Sequence, residues 1–194
     1  MLYRRAVEID SGTMMVVTDL HGDGAAFDRV IQIFREGYEA GRILRLLLCG
    51  DLIHANVPPD DSLRMVLKVM RLQAELGTQT VILLCGNHEM PHIYGQPLLR
   101  GNTNVTAAFE HALSKSGKRD EIVNFLAELP FFALTSGGVM FCHAGPTHEI
   151  AVPVKMKQLL DFDHIAFLAS VDEELQRYDL DKARERYAVN MGYG

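Results

Sequence analysis

Met14-Met15-Val16-Val17-Thr18-Asp19-Leu20-His21-Gly22 is a short apolar, β-branched-rich run that ends abruptly in an aspartate, a histidine and a glycine. It is too brief for several helical turns, so it predicts a buried strand over 14–18 with polar groups at its carboxyl end. The pattern recurs outward from there. Ile43 to Cys49 runs into Gly50-Asp51, and Thr80 to Cys85 runs into Gly86-Asn87-His88. Between the first two strands, Phe27, Val30, Ile31, Phe34 and Tyr38 follow at helical spacing, with Gly41 where a helix stops. Between the second and third, Pro58-Pro59-Asp60-Asp61 breaks the chain and starts a helix whose expected face is Leu63, Val66, Leu67 and Met70. The order is β-α-β-α-β, which predicts an α/β fold with a mostly parallel sheet and right-handed crossovers. In open sheets of that kind, groups at the carboxyl ends of the strands converge on one crevice.

Downstream, Ile122, Phe125, Leu126 and Leu129 suggest another helix closed by Pro130. Phe131 to Ser136 and Val139 to Cys142 then form a hairpin joined at Gly137-Gly138, and its second strand ends at His143. From Pro153 the chain reads as helical, through Leu159-Leu160, Ile165 to Leu168 and the mixed-charge stretch Asp172 to Tyr187, which is expected to be a solvated helix face. No repeat or linker interrupts it, so one domain over 1–194 is expected.

The composition narrows the class. With 48% apolar and 23% charged residues the 194-residue chain is an ordinary globular one, long enough for a real core and unlike disordered or collagenous sequences. Its 19 basic against 25 acidic side chains give a net charge of -6, so no basic field holds a polyanion, and nucleic acid and membrane surfaces are excluded as partners. Cys49, Cys85 and Cys142 form no CxxC pair. That argues against a disulfide framework or zinc ribbon and for a reducing compartment, with the cysteines acting as small buried hydrophobes. Glu8 and Asp10 interrupt the N-terminal segment where a signal peptide carries an apolar run, and the longest apolar runs fall well short of the ~20 residues that span a bilayer. A cytoplasmic location is expected.

The strand ends carry the chemistry: Asp19 with His21, Asp51, Asn87 with His88, and His143. A single strand-end carboxylate is usually a helix cap or loop hydrogen-bonder. Such ends recurring on neighbouring strands predict a metal site. Oxygen and imidazole ligands without thiolate suit manganese, iron, zinc or magnesium, and the ligands suffice for two divalent ions, with manganese favoured.

Asp19-Leu20-His21-Gly22, Gly50-Asp51, Gly86-Asn87-His88-Glu89 and His143-Ala144-Gly145 together resemble the motifs of the calcineurin-like metallophosphoesterases. The Asn-His-Glu form, and Leu129-Pro130 leading by a hairpin into His143, are most similar to the phosphoprotein phosphatase branch and its bacterial diadenosine tetraphosphatase relatives. The resemblance implies a sandwich of central mixed β-sheets flanked by helices. It implies that Asp19 and His21 hold a first metal, Asp51 bridges both, and Asn87 and His143 hold the second. It gives His88 the role of donating a proton to the leaving oxygen, with Glu89 buttressing the loop. The implied activity is hydrolysis of phosphate monoesters through a dinuclear metal centre and bridging hydroxide, most like a serine/threonine protein phosphatase, acting on a phosphorylated protein or a small phosphoester. The alternatives are hydrolysis of a dinucleoside polyphosphate or other nucleotide, and an inactive phosphate-binding relative. Physical chemistry supports the division of roles: two dications outweigh two carboxylates, make the pocket attract phosphate, acidify a shared water and clamp an in-line displacement.

The second motif departs from the branch. It reads Gly50-Asp51-Leu52-Ile53-His54-Ala55-Asn56, with His54 in place of an aspartate that orients the proton donor and Ala55 in place of an arginine that forks onto phosphate. An imidazole at 54 can support His88 only as a neutral acceptor. Arg100 is expected to be a surface residue, with supply of the lost charge as the alternative. The branch also draws a further metal-binding histidine from beyond the His143 motif. His148 and His164 are poor counterparts, so the chain is expected to be a shortened form of a longer protein, with water completing the second metal's shell as the alternative. His92 and His111 lie outside the motifs and are expected to be exposed.

Overall fold

In a computed structural model the chain is described over residues 3–145 and 152–170. Strands β1 (Ala6–Ile9), β2 (Met14–Val17), β3 (Arg45–Leu48) and β4 (Val81–Leu83) come early, with helices α1 (Gly24–Glu39) and α2 (Ser62–Leu76) crossing between the last three. Sequence and structure agree on this half: β2, β3 and β4 pair in parallel in that order, Met15 opposite Leu46 and Leu46 opposite Val81. Asp23 caps α1, its carboxylate accepting the Ala26 N–H at 2.9 Å.

A short helix α3 (Met90–Tyr94), the small hairpin β5 (Leu99–Arg100) and β6 (Thr103–Asn104), and helices α4 (Ala107–Ser116) and α5 (Arg119–Ala127) lead to β7 (Phe132–Thr135) and β8 (Met140–Cys142), then α6 (Pro153–Leu160) and α7 (His164–Ser170). The β7–β8 hairpin forms where expected, Phe132 opposite Cys142 and Gly138 at φ 82° in its turn. A second sheet results, in the order β1-β7-β8, parallel at one joint and antiparallel at the other.

Strand periodicity explains how the two sheets stack. On β3 and β4, Leu46, Leu48, Val81 and Leu83 point to the side packed with Phe27, Phe34, Met65 and Val69 of α1 and α2. Leu47 and Ile82 point the other way, into a dry layer with Val7, Ile9 and Ala133 of β1 and β7. The result is the expected α/β sandwich of mixed sheets with flanking helices. Leu46, Leu47 and Leu48, at 2% exposure or less, are buried from both faces, which is why this strand reads as a continuous apolar run.

One sequence expectation is corrected here, and one strand is added. The buried stripe of α2 is Ser62, Met65, Val66, Val69 and Leu72, whereas Leu63, Leu67 and Met70 are only partly covered, so the helix is rotated from the expected face. Strand β1 carries no clear sequence signal, because Glu8 and the flanking charges interrupt its apolar residues; Val7 and Ile9 face the inter-sheet layer, whereas Ala6 packs on the other side. The charged stretch 172–187 lies outside the described residues. No helix among the described residues is long and apolar enough to cross a membrane.

Candidate metal centre

The loops after β2 and β3 are built tightly. Asp19, His21, Asp51 and His54 have φ of 55°, 43°, 51° and 69°, a left-handed conformation that costs a non-glycine residue about 1–3 kcal/mol and persists only where surrounding structure enforces it. The enforcement is visible. Amides of Asp19, His21 and Gly22 donate to the carbonyls of Gly50, Asp51 and Leu52 at 3.3, 2.9 and 2.9 Å, stitching the two loops together. Glu89 is fully buried and accepts the amides of Asp51 (3.0 Å), Leu52 (2.9 Å) and Gly86 (2.8 Å), joining the third loop to the second. Burial and the neighbouring Asp51 push its carboxyl up to about 7 against those amides. The buttressing expected of Glu89 is thus what its contacts do. A Cβ on Gly50 would lie 2.8 Å from the Gly86 backbone, so neither loop leaves room for a side chain there.

These loops bring the strand-end side chains together in two overlapping groups, Asp19–Asp51–His143 and His21–Asp51–His88, whose donor atoms lie within 4.8 Å of one another. Asp51, 4% exposed, belongs to both. His21 Nε2 is 3.6 Å from Asp19 Oδ1 and 3.7 Å from Asp51 Oδ2; His143 Nε2 is 3.4 Å from Asp51 Oδ1. His143 Nδ1–H donates to the Cys49 carbonyl at 2.9 Å, which leaves its Nε2 as a lone pair facing the centre, the tautomer a metal needs. The Asn87 amide sits 3.0 Å from that Nε2 and 3.1–3.2 Å from both Asp51 oxygens. With its nitrogen turned inward it hydrogen-bonds to them; with its carbonyl turned inward, a bound cation would relieve the converging lone pairs. His21 Nδ1 is buried with no hydrogen-bond partner among the described residues. This donor set fits divalent cations, and the side chains near enough to hold them are Asp19, His21, Asp51, Asn87 and His143, with His88 beside His21 and Asp51 as a further donor in reach.

His88 lies against the same centre, 5% exposed, its Nε2 3.8 Å from Asp51 Oδ2. Its Nδ1 meets His54 Nδ1 at 3.0 Å. Burial lowers the His88 pKa against the raising effect of Asp51, and burial with the neighbouring imidazoles takes His54 down to about 2, so His54 is the neutral partner that the sequence allowed. His92 corrects the sequence reading: expected at the surface, it is 1% exposed and continues the chain of rings, its Nε2 2.6 Å from His54 Nε2 and its Nδ1 2.6 Å from Glu110 Oε1. The four-residue spacing of His88 and His92 across the start of α3 was the signal that could have found it. His111 is exposed as expected.

Arg100 is exposed, as read, but it is placed. It sits on β5, donates to Asn56 Oδ1 at 2.6 Å, and with His88, His54 and Asn104 lines a cleft of about 470 Å³. A neighbouring cleft of about 540 Å³ is lined by Asp19 and His21, and the two share Ala55, Asn56 and Pro58. His164 does not reach the centre: it is buried against Phe131 and Phe162, its Nδ1 2.5 Å from the Tyr94 hydroxyl. His148 lies outside the described residues. Cys49 and Cys85 are buried and Cys142 is half-buried; burial pushes the Cys49 thiol up to about 11, so it is a packed thiol and not a reactive thiolate.

Comparison with known proteins agrees with this geometry. A model of the family described as calcineurin-like phosphoesterase matches residues 12–190. No curated protein sequence matches the chain. Among solved structures, the chain is similar to a serine/threonine phosphatase from Saccharomyces cerevisiae, itself described as similar to human phosphatase PP5 (TM-score 0.54, 18% identity, covering 79% of this chain and 46% of that one). It is also similar to a cold-active protein-tyrosine phosphatase of a psychrophilic Shewanella (TM-score 0.54, 16% identity, 90% and 57%). The chain spans about half the length of these structures, and at such identities the likeness is one of fold. With a family match over most of its length, and with the strand-end aspartates and histidines gathered around Asp51, the chain belongs to the calcineurin-like phosphoesterase family.

Proposed function

We propose that this protein hydrolyses phosphate monoesters at a dinuclear centre held by Asp19, His21, Asp51, Asn87 and His143, with manganese as the favoured metal. The observation that carries the reading is Asp51, a buried carboxylate that belongs to both ligand groups at once. Two bound divalent ions would supply charge that draws in a phosphoryl group and an acidified water to attack it. The protein's own residues do the rest. His88 gives its Nδ1–H to His54 and turns Nε2 toward the centre; in its protonated form it carries a second hydrogen there, which it passes to the leaving oxygen, ending as the neutral ring that keeps Nδ1–H. Arg100 reaches into the same cleft from β5 and grips the phosphate oxygens in place of the arginine that Ala55 lacks. A phosphorylated protein or small phosphoester is the substrate class, and the packed thiols favour a cytoplasmic location.

The test is hydrolysis of phenyl phosphate by the full-length gene product with manganese, iron, zinc or magnesium added. Turnover is expected with at least one metal; inactivity with every metal, on monoesters and diesters alike, contradicts the proposal. Ala55 favours a second reading, in which the substrate is a nucleotide or dinucleoside polyphosphate, because the two clefts meet at that small side chain. Product analysis on nucleotides against phosphopeptides separates the two.

A further inference from the structure

Four side chains form a continuous hydrogen-bonded line leading away from the centre: His88 to His54 through the two Nδ1 atoms (3.0 Å), His54 to His92 through the two Nε2 atoms (2.6 Å), and His92 Nδ1 to Glu110 Oε1 (2.6 Å). The three rings are buried, whereas Glu110 is only part-buried on α4, held from α5 by Arg119, whose Nε donates to Oε2 at 3.3 Å. The line is clamped along its length. The His54 amide donates to Ser62 Oγ at 2.8 Å, and the Phe109 ring packs edge-on against His92 and His54 at centroid distances of 4.8 and 6.2 Å.

Donor and acceptor must alternate along such a line, and its far end sets the phase. An ionised carboxylate only accepts, so the hydrogen at that end belongs to His92 Nδ1. A neutral His92 then presents a bare Nε2, which forces the hydrogen of His54 onto its own Nε2 and leaves His54 Nδ1 as an acceptor toward His88. If His92 were instead charged, it would donate from both nitrogens and every bond between it and His88 would reverse. Burial keeps His92 and His54 below the usual imidazole range in spite of Glu110, which favours the neutral arrangement.

We propose that Glu110, acting through His92, is a positioning residue that fixes the tautomer of His54, so that His54 receives the Nδ1–H of His88 and holds the ring with Nε2, the nitrogen that carries the second proton when His88 is charged, toward the leaving group. The line thus performs, through two rings, the orientation that a carboxylate at position 54 would perform by direct contact. The inference deepens the proposed function and rests on it for its kinetic consequence, but not for the tautomer itself.

The experiment is long-range 1H–15N correlation NMR of the metal-free protein labelled in its histidines, with assignment by single substitutions. The expected result is hydrogen on Nε2 of His54 and Nδ1 of His92, and loss or reversal of the His54 pattern in Glu110→Ala. Hydrogen on Nδ1 of His54 in the unaltered protein, or a His54 pattern unchanged by Glu110→Ala, overturns the proposal. Kinetics give a second reading that a purely structural role would not produce. On phenyl phosphate, whose leaving group needs a proton, Glu110→Ala and His92→Phe should lower kcat about tenfold or more with KM little changed. On 2,4-dinitrophenyl phosphate, whose leaving group does not, they should lie within about twofold of the unaltered protein. Equal losses on both esters overturn the proposal. An unaltered protein inactive on both esters overturns the phosphatase reading instead, and the NMR pattern then decides the positioning role by itself.

Discussion

His54 and His88 face each other through their Nδ1 atoms at 3.0 Å, two buried imidazoles where only one of the pair can supply the hydrogen. With His54 held neutral by burial, the hydrogen belongs to His88, whose other nitrogen is then turned to the acidic centre at Asp51. In the proposed mechanism a second proton, on the Nε2 of charged His88, is the one passed to the leaving oxygen, and Asp51 holds the cations.

The two roles separate by substitution. His88→Ala is expected to lower kcat on phenyl phosphate by about 10²–10⁴-fold while retaining bound metal. Asp51→Ala is expected to lose both, because it removes a ligand common to both groups. Metal analysis of each purified variant alongside its turnover is the check, and loss of metal from His88→Ala would make His88 a ligand.

Arg100 tests how the phosphate is held. A charge-assisted contact is worth about 1.5–3 kcal/mol, so Arg100→Ala is expected to raise KM for a monoester about tenfold or more, with a smaller effect on kcat and none on metal content. Unchanged KM would return Arg100 to the ordinary surface residue bonded to Asn56.

Glu89 tests the scaffold beneath the ligands. Replacing it with alanine strands the amides of Asp51, Leu52 and Gly86, each buried donor costing about 1–3 kcal/mol when unsatisfied. Urea unfolding of metal-free Glu89→Ala is expected to show a loss of at least about 2 kcal/mol, together with weaker metal binding. A stable variant with intact metal affinity would show that water replaces the carboxylate at no cost.

The buried imidazoles give the metal-free protein a defined acid sensitivity. The unfolded chain takes up protons near pH 6.5, whereas folded His54 does so only near 2 and His92 also lies below its usual range. Below about pH 6.5 the unfolded state therefore binds more protons, and stability falls as pH falls. Glu89 opposes this, since its folded value of about 7 against 4.5 makes the folded state the one that holds a proton between those values. His54 and Glu89 roughly offset each other between those values, and the lowering of His92 and His88 in the same direction as His54 leaves a net loss of stability as pH falls. Chemical denaturation at pH 7, 6 and 5 measures it; stability that rises toward pH 5 would contradict the assignment.

Much of this molecule is legible along its chain because its central strands are buried on both faces. Leu46, Leu47 and Leu48 read as one apolar run, and a run that stops at Gly50-Asp51 marks both the strand end and the candidate ligand. Local signals likewise reveal the β7–β8 turn, with Gly138 at positive φ. What escaped depends on contacts distant in sequence. β1 is defined by its partner β7, some 126 residues on by the pairing of Ala6 with Phe132. His92 looks like a loop residue until α4 brings Glu110 and Phe109 over it. Arg100 gains its place only because the β5–β6 hairpin closes over the His88 cleft. A hydrogen-bonded line between three elements leaves no mark in any one of them.

The central claim is that Asp51 is shared by two cations. The most direct measurement is anomalous diffraction from crystals of the full-length protein grown with manganese. Two anomalous peaks a few Å apart, on either side of Asp51, one reached by Asp19 and His21 and the other by Asn87 and His143, are the predicted result. A single peak, peaks that bypass Asp51, or none at saturating manganese would contradict it.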